Sequence, residues 1–259
     1  MSTVKVEREG RIAWVTLERP DAANALSKAL VADLDATLQA FSHEDEPLPV
    51  LVVTGAGEKA FCAGADLKER RAMSLDETRA FLRELNATVD ALASYPQPVI
   101  AALNGAAYGG GLELALACDI RIAAQGIELG LPEVRLGILP GAGGTQRLSR
   151  LCGLATAKEL ILTGRRIDAA RAQALGLVSA VVPPAELRAE ALRWATEIAT
   201  AGPLAVAQAK SAIDEGFGEP LEQGLAMERE AYEIVLGSED RNEGLRAFAE
   251  KRKPNFTGK

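Results

Sequence analysis

The chain predicts an α/β fold in which helices pack over sheets, followed by a helical C-terminal part. Short apolar runs alternate with helix-length amphipathic segments up to about residue 155, and glycine-bearing loops sit at the ends of those runs. Beyond them, helix-length segments dominate. At 259 residues, with 48% apolar and 25% charged content, the chain can bury a large core without disulfides.

Residues 4–7 and 12–17 read as strands, and a helix follows whose apolar positions Leu26, Leu30, Leu34 and Leu38 recur every four. The run 50–54 is a further strand, and 55–66 reads as a glycine-bearing loop. Ser74 with Glu77 forms a capping-box pattern, so a helix starts there with Phe81, Leu82, Leu85, Val89 and Leu92 as its buried stripe. Tyr95 and Pro98 end it. A continuously apolar strand at 99–103 leads through a turn at 104–105 and three glycines at 109–111 into a helix-length apolar segment reaching Ala117. Strands are expected at 120–124 and 127–131, and a glycine loop at 140–144 precedes a short helix carrying Gln146 and Arg147. After residue 155 only 177–182 reads as a strand. A boundary between 185 and 202 divides a core, 1–195, from a helical region, 196–259.

Composition excludes several function classes. Cys62, Cys118 and Cys152 lack CxxC spacing and lie in apolar or glycine-rich surroundings, so they read as reduced, buried thiols, with no metal cluster. The net charge is −7 with both signs interspersed, which argues against a nucleic-acid footprint. With no leader-like start and no apolar run near 18 residues, a soluble cytoplasmic protein without membrane contact is expected. The single histidine, His43, lies in a charged turn and reads as a surface residue, which disfavours a Ser-His-Asp hydrolase. The segment GAGEKA at 55–60 fits a dinucleotide fingerprint formally, but FCAG follows where the phosphate-binding helix should start.

The chemistry is concentrated at the glycine loops. Glu113 follows the triple glycine, and Glu133 follows Gly130 and Pro132, so both carboxylates can project from turns into one cleft. Such a pair can hold one water between a base and a protonated acid. The plainer alternative is that Glu113 caps its helix and Glu133 faces solvent. A helix opening on glycines also leaves backbone N–H groups free to stabilise an anion.

The motifs FCAGAD (61–66), NG (104–105), GGGLELALACD (109–119), PE (132–133), GILPGAGGTQRL (137–148) and EKRKP (250–254) are together similar to those of the crotonase, or enoyl-CoA hydratase/isomerase, family. The resemblance is collinear over essentially the whole chain. It implies a crotonase (ClpP-like) spiral of ββα units with a helical C-terminal oligomerisation region, assembled as a homotrimer or a dimer of trimers. It also implies hydration of a 2-enoyl-CoA thioester, with coenzyme A as part of the substrate and no metal or redox cofactor. Ala65 and Gly110 would supply the oxyanion amides, Glu113 would activate water toward C3, and Glu133 would protonate C2. Ala22, Ala63, Asp66, Phe248 and Lys251 would contact coenzyme A, the last two in their own or a neighbouring subunit. Gly141 would line the water site. Tyr108 stands where family members often have Leu, and would narrow the acyl pocket or offer a hydroxyl to a polar acyl end.

Detail at Asn24 to Lys28, Asp66 to Arg70 and 111–119 looks most like the methylglutaconyl-CoA hydratase branch. One member of that branch binds RNA through a lysine-studded first helix. Here Lys28 is the only lysine at 27–41, and Asp33 and Asp35 accompany it, so the electrostatic contribution is missing. The alternatives are an isomerase or other enolate enzyme of this fold, and a non-catalytic oligomer that binds acyl-CoA or RNA.

Overall fold

A computed structural model of the chain describes residues 2–42 and 50–259. His43 therefore lies outside the described residues. Strands β1 (Val4–Glu9) and β2 (Ile12–Leu17) form an antiparallel pair, and helix α1 (Lys28–Ser42) follows. Strand β3 (Val50–Gly55) then runs into the three-residue strand β4 (Ala60–Cys62) and helices α2 (Leu67–Ala72) and α3 (Leu75–Ala93). The same long strand, short strand, helix sequence recurs in β5 (Val99–Leu103), β6 (Ala106–Tyr108) and α4 (Gly110–Ala117). A third turn comprises β7 (Ile120–Ala124), β8 (Glu128–Gly130), a 3-10 turn over Glu133–Leu136, and α5 (Gly144–Cys152).

Because each turn advances one strand position, the long strands align in a six-stranded sheet and the short ones in a four-stranded sheet. The larger has the order β1-β2-β3-β5-β7-β10, with β10 at Ala180–Val182; the smaller is β4-β6-β8-β9, with β9 at Arg166–Asp168. This is the spiral of ββα units. In the larger sheet every pairing after β1–β2 is parallel, and β3 and β5 are buried almost throughout, as a sheet covered on both faces requires. The strand at 177–182 is confirmed only over its last three residues. Strands β4 and β6 lie where the sequence reads as loop, and β9 in the stretch that reads as mainly helical, because three residues are too few to show an alternation.

The capping box forms as expected: the Ser74 hydroxyl accepts from the Glu77 amide, and the Glu77 carboxylate accepts from the Ser74 amide. Between α5 and β10 lie α6 (Leu154–Thr163) and α7 (Ala169–Ala174). Helix α8 (Leu187–Ala199) packs across β2, β3, β5 and β7 through Leu187, Ala191 and Ala195. The helices α9 (Pro203–Gly216), α10 (Leu221–Leu236) and α11 (Glu239–Glu250) follow, and α10 buries none of its residues although it carries Leu221, Leu225, Tyr232, Ile234 and Leu236.

Helix α4 is apolar on every side but one residue, and all eight of its positions are buried. Its C-terminal end is held by Arg121, only 6% exposed. The guanidinium donates to the carbonyls of Leu177 (2.6 Å), Ala115 (3.3 Å) and Cys118, which ties the end of α4 to β7 and the loop before β10. Replacing Arg121 with Met would remove all three bonds and leave the Leu177 and Cys118 carbonyls without the donor they have here, each lost bond to a buried acceptor costing about 1–3 kcal/mol. A urea unfolding titration should show a loss of at least about 3 kcal/mol.

Candidate active site

The first helical turn of α4 carries Glu113 into the core, where it is 2% exposed. No side chain satisfies it. Instead its Oε1 accepts two backbone hydrogen bonds of 2.7 Å each, from the Ala142 and Gly144 amides of the loop before α5. Burial pushes this carboxyl above the usual range, while the Gly144 and Ala142 amides, the charge of Arg147 and the Gly141 amide oppose that shift.

Glu133 heads the 3-10 turn after Pro132 and is 9% exposed. Its Oε2 is buried and has no hydrogen-bond partner among the described residues. Burial pushes its carboxyl up to about 7, its own backbone amide opposing and the charge of Glu113 adding. Both carboxylates thus lie inside the protein, and the alternative of a capping Glu113 beside a solvated Glu133 is overturned. An orphaned buried oxygen calls for an explanation, because such groups are rare in folded proteins.

The two amides expected to bind an oxyanion lie side by side. Leu26 donates its amide to the Gly64 carbonyl (2.8 Å) and accepts from the Asp66 amide (3.0 Å), so the intervening Ala65 N–H faces away from Leu26. Gly110, as the first residue of α4, has no partner one turn back for its own N–H. A Cβ built on Gly110 would lie 3.9 Å from the Ala65 nitrogen. Neither amide is bonded to a protein acceptor among the described residues. Glycine is required twice here. Gly64 has φ +92 and passes over the Tyr108 carbonyl, and a Cβ on Gly111 would lie 2.1 Å from the Cys62 carbonyl oxygen.

Sequence comparison places this geometry. The profile of the enoyl-CoA hydratase/isomerase family matches residues 7–259. The chain belongs to the enoyl-CoA hydratase/isomerase, or crotonase, family. It is 44% identical over 253 residues to a short-chain-enoyl-CoA hydratase of Clostridium acetobutylicum, covering 98% of this chain and 97% of that one. It is 48% identical over 252 residues to the mitochondrial enoyl-CoA hydratase domain-containing protein 2 of Mus musculus, covering 96% and 85%. The crystal structure of an enoyl-CoA hydratase from Bacillus anthracis superposes with a TM-score of 0.97 at 49% identity, covering 99% of this chain and all of that one.

The remaining residues that the crotonase resemblance singles out fall into two groups. Ala22, Ala63 and Asp66 are brought together, because the Ala63 amide donates to the Ala23 carbonyl (3.0 Å) beside the Leu26 pairing. Asp66 is fully engaged within the chain: Oδ1 caps α2 through the Lys68 and Glu69 amides, and Oδ2 pairs with Arg19 at 3.0 Å. Gly141 sits in the loop over Glu113, its carbonyl accepting from Asn86 (2.8 Å). Tyr108 lies on β6 with its hydroxyl donated to Glu128 (2.7 Å) and the Arg166 guanidinium 4.4 Å from its ring, so the hydroxyl is already committed. Phe248 and Lys251 are not joined to the glutamates. They lie at the end of α11, Phe248 85% exposed, and among the described residues no hydrogen bond or ion pair links this helix to the site loops.

Several residues that the sequence did not single out support this crotonase site. Ala142 and Gly144 act through backbone amides, and Arg147 stands behind them. Asn24, fully buried, donates to the Ala56 (2.9 Å) and Ala60 (2.8 Å) carbonyls and accepts from the Arg19 amide (3.0 Å), pinning the 19–26 turn to the start of β4. Its φ of +53, rare for a residue with a Cβ, is the only local signal, and it is visible only in the structure. Among the described residues no group of three His, Cys, Asp or Glu side chains could hold a metal, and no helix is long and apolar enough to cross a membrane.

The displaced Glu133 titration has a consequence for stability. The folded chain retains the Glu133 proton to about pH 7, whereas an unfolded chain releases it near the ordinary glutamate value of 4.5. The folded state therefore binds the extra proton between these limits. Its contribution is fully present below 4.5 and is lost as pH rises through 7. Urea unfolding at pH 5 and pH 8 should show Glu133→Gln gaining on the native chain by on the order of 3 kcal/mol at the higher pH only.

Proposed function

We propose that this site adds water reversibly, in the syn sense, across the 2,3 double bond of a 2-enoyl-CoA thioester to give a 3-hydroxyacyl-CoA. The observation that carries the reading is the pairing of two buried glutamates in unlike environments next to two free amides. Glu113 is stabilised as an anion by Ala142 and Gly144, and both bonds end on Oε1, which leaves Oε2 to accept from a water. Glu133, with its carboxyl pushed up to about 7 and one oxygen orphaned, is about half protonated at neutral pH, and that protonated fraction can donate.

In the forward step the water oxygen bonds to C3 while Glu113 takes its proton. The π electrons shift toward the thioester carbonyl, whose oxygen gains charge facing the Ala65 and Gly110 amides. Such donors typically contribute roughly 3 kcal/mol each. The electron pair returns to C2, which receives the proton of Glu133. Glu113 ends protonated and Glu133 ionised, and proton exchange through solvent resets the pair. The chemistry asks for no metal or redox group, since both electrons and protons balance within substrate, water and the two carboxyls.

The nucleotide end of coenzyme A is assigned to the strip formed by Ala22, Ala63 and Asp66, with Phe248 and Lys251 reaching it from the same or an adjacent subunit. A homotrimer or dimer of trimers would supply the second case. In favour of assembly, Ile213, Phe217, Leu221 (78% exposed) and Tyr232 present an apolar face on α9 and α10 that the single chain leaves uncovered. The narrower substrate assignment is 3-methylglutaconyl-CoA in leucine breakdown, supported by the motif detail around Asn24, Asp66 and 111–119. With its hydroxyl held by Glu128, Tyr108 would act on the acyl group through its ring. A cytoplasmic setting suits the free thiols of Cys62, Cys118 and Cys152.

Purified protein should bleach the ultraviolet absorbance of crotonyl-CoA or 3-methylglutaconyl-CoA, and failure with both would remove the hydratase reading. Glu113→Gln and Glu133→Gln should each lower kcat by about 10²–10⁴-fold. Full activity in either variant would favour a single-base isomerisation instead. Light scattering should report a trimer or hexamer, and Phe217→Asp combined with Tyr232→Asp should yield monomers with a raised KM; an unchanged assembly would refute the α9–α10 contact.

A further inference from the structure

We propose that Arg147, with Asn86 as its second arm, is the positioning residue for the Glu113 carboxylate, acting through three consecutive peptide planes of the loop before α5. This inference rests on the hydratase reading for its kinetic arm only.

The two amides that hold Glu113 belong to the 141–142 and 143–144 peptides, and the 142–143 peptide lies between them. Each of the first two planes is gripped at its carbonyl. Asn86 Nδ2 donates to the Gly141 oxygen (2.8 Å), directly opposite the Ala142 N–H that binds Glu113. Arg147 Nη1 donates to the Ala142 oxygen (3.0 Å), which fixes the middle plane. The third plane follows, because the Arg147 amide donates to the Gly143 oxygen at 2.8 Å. A peptide polarised at its carbonyl is a stronger donor at its N–H, so these contacts both orient and strengthen the bonds to the carboxylate.

The guanidinium is itself braced. Its Nη2 pairs with Asp90 at 2.8 Å, one helical turn beyond Asn86 on the same face of α3. Asp90 is mostly exposed, so the pair is worth little as stability and serves chiefly to aim the fork. Two bonds at once, to a carbonyl and to a carboxylate, suit the rigid planar fork of arginine and not the point charge of lysine. The loop has been fitted around it, since a Cβ on Gly143 would lie 2.1 Å from Nη1.

The charged groups acting on Glu113 are therefore few. Glu133 approaches from the 3-10 turn and Arg147 from α5; Asp90 of α3 is paired with Arg147, and Glu113 is the one ionisable side chain of α4. Removing Arg147 deletes the one cation of that set. The base then protonates at higher pH.

The test compares Arg147→Gln, Arg147→Lys and Asn86→Leu in the intact protein. In Arg147→Gln, kcat should fall about 10- to 100-fold with KM for the thioester nearly unchanged, and the acid limb of the kcat/KM profile should move to higher pH. Arg147→Lys should restore the limb to its native position while leaving kcat reduced, and Asn86→Leu should lower kcat without moving the limb. Unchanged kcat and limb in Arg147→Gln would overturn the proposal, as would losses of kcat and unfolding midpoint with the limb in place. Were Arg147→Gln to prove insoluble, Arg147→Lys decides: reduced kcat on a native limb supports the proposal and native kcat overturns it. A readout independent of turnover is a double-mutant cycle in urea between Arg147→Lys and Glu113→Gln. Midpoint losses that fail to add support the coupling and additive losses sink it, even if no enoyl thioester were hydrated.

Discussion

A carboxylate on a helix that is apolar on every other face has to be solvated by the protein itself, and at Glu113 two backbone amides do so. Helix α4 cannot shift without losing that contact, because Gly111 brings it against the Cys62 carbonyl at one end and Arg121 holds its last carbonyls at the other. The position of Gly110 is a consequence. Once α4 is fixed, its first N–H has to emerge beside Ala65, and the two free amides come into register with the two glutamates.

The spiral explains how distant segments meet. Each turn of the chain lays a long strand beside the previous long strand and a short strand beside the previous short one, so loops far apart in sequence become neighbours. The oxyanion loop leaves β4, the triple glycine leaves β6, and Glu133 follows β8, three adjacent strands of one small sheet. Parallel pairing puts all three exits at the same edge. Helices α9 to α11 stand outside this logic, since the spiral is already closed by α8 across its larger sheet, and their apolar face points outward.

The long elements were legible because burial leaves a period in the sequence. The stripe of Phe81, Leu85, Val89 and Leu92 and the continuous run at 99–103 need only local pattern to be read. Strands β4, β6 and β9 left none, being three residues long and held by their neighbours. The same division holds at the site. Glu113 and Glu133 were visible as carboxylates in apolar, glycine-rich surroundings, whereas the groups that control them act through backbone. Nothing about alanine at 142 signals that its amide binds a carboxylate, and Arg147 looks like any helical arginine until its guanidinium is found over Gly143. Tyr108 shows the converse: its identity stood out, but its hydroxyl is occupied by Glu128.

The two glutamates are chemically identical, so their different roles have to come from their surroundings. Burial raises both, and by itself would leave two neutral acids. Three backbone amides and a guanidinium oppose the effect at Glu113; at Glu133 only its own backbone amide does, and the neighbouring Glu113 charge adds to the rise. Burial is therefore opposed more strongly at Glu113 than at Glu133, and Glu133 is the carboxyl that holds a proton more firmly. That order fits the proposed direction of the chemistry. In the proposed hydration a water between them would be deprotonated on the Glu113 side, and the proton for C2 would come from Glu133. Exchanging the surroundings of the two carboxyls, with every substrate contact kept, would exchange base and acid and leave the water facing the wrong carbon.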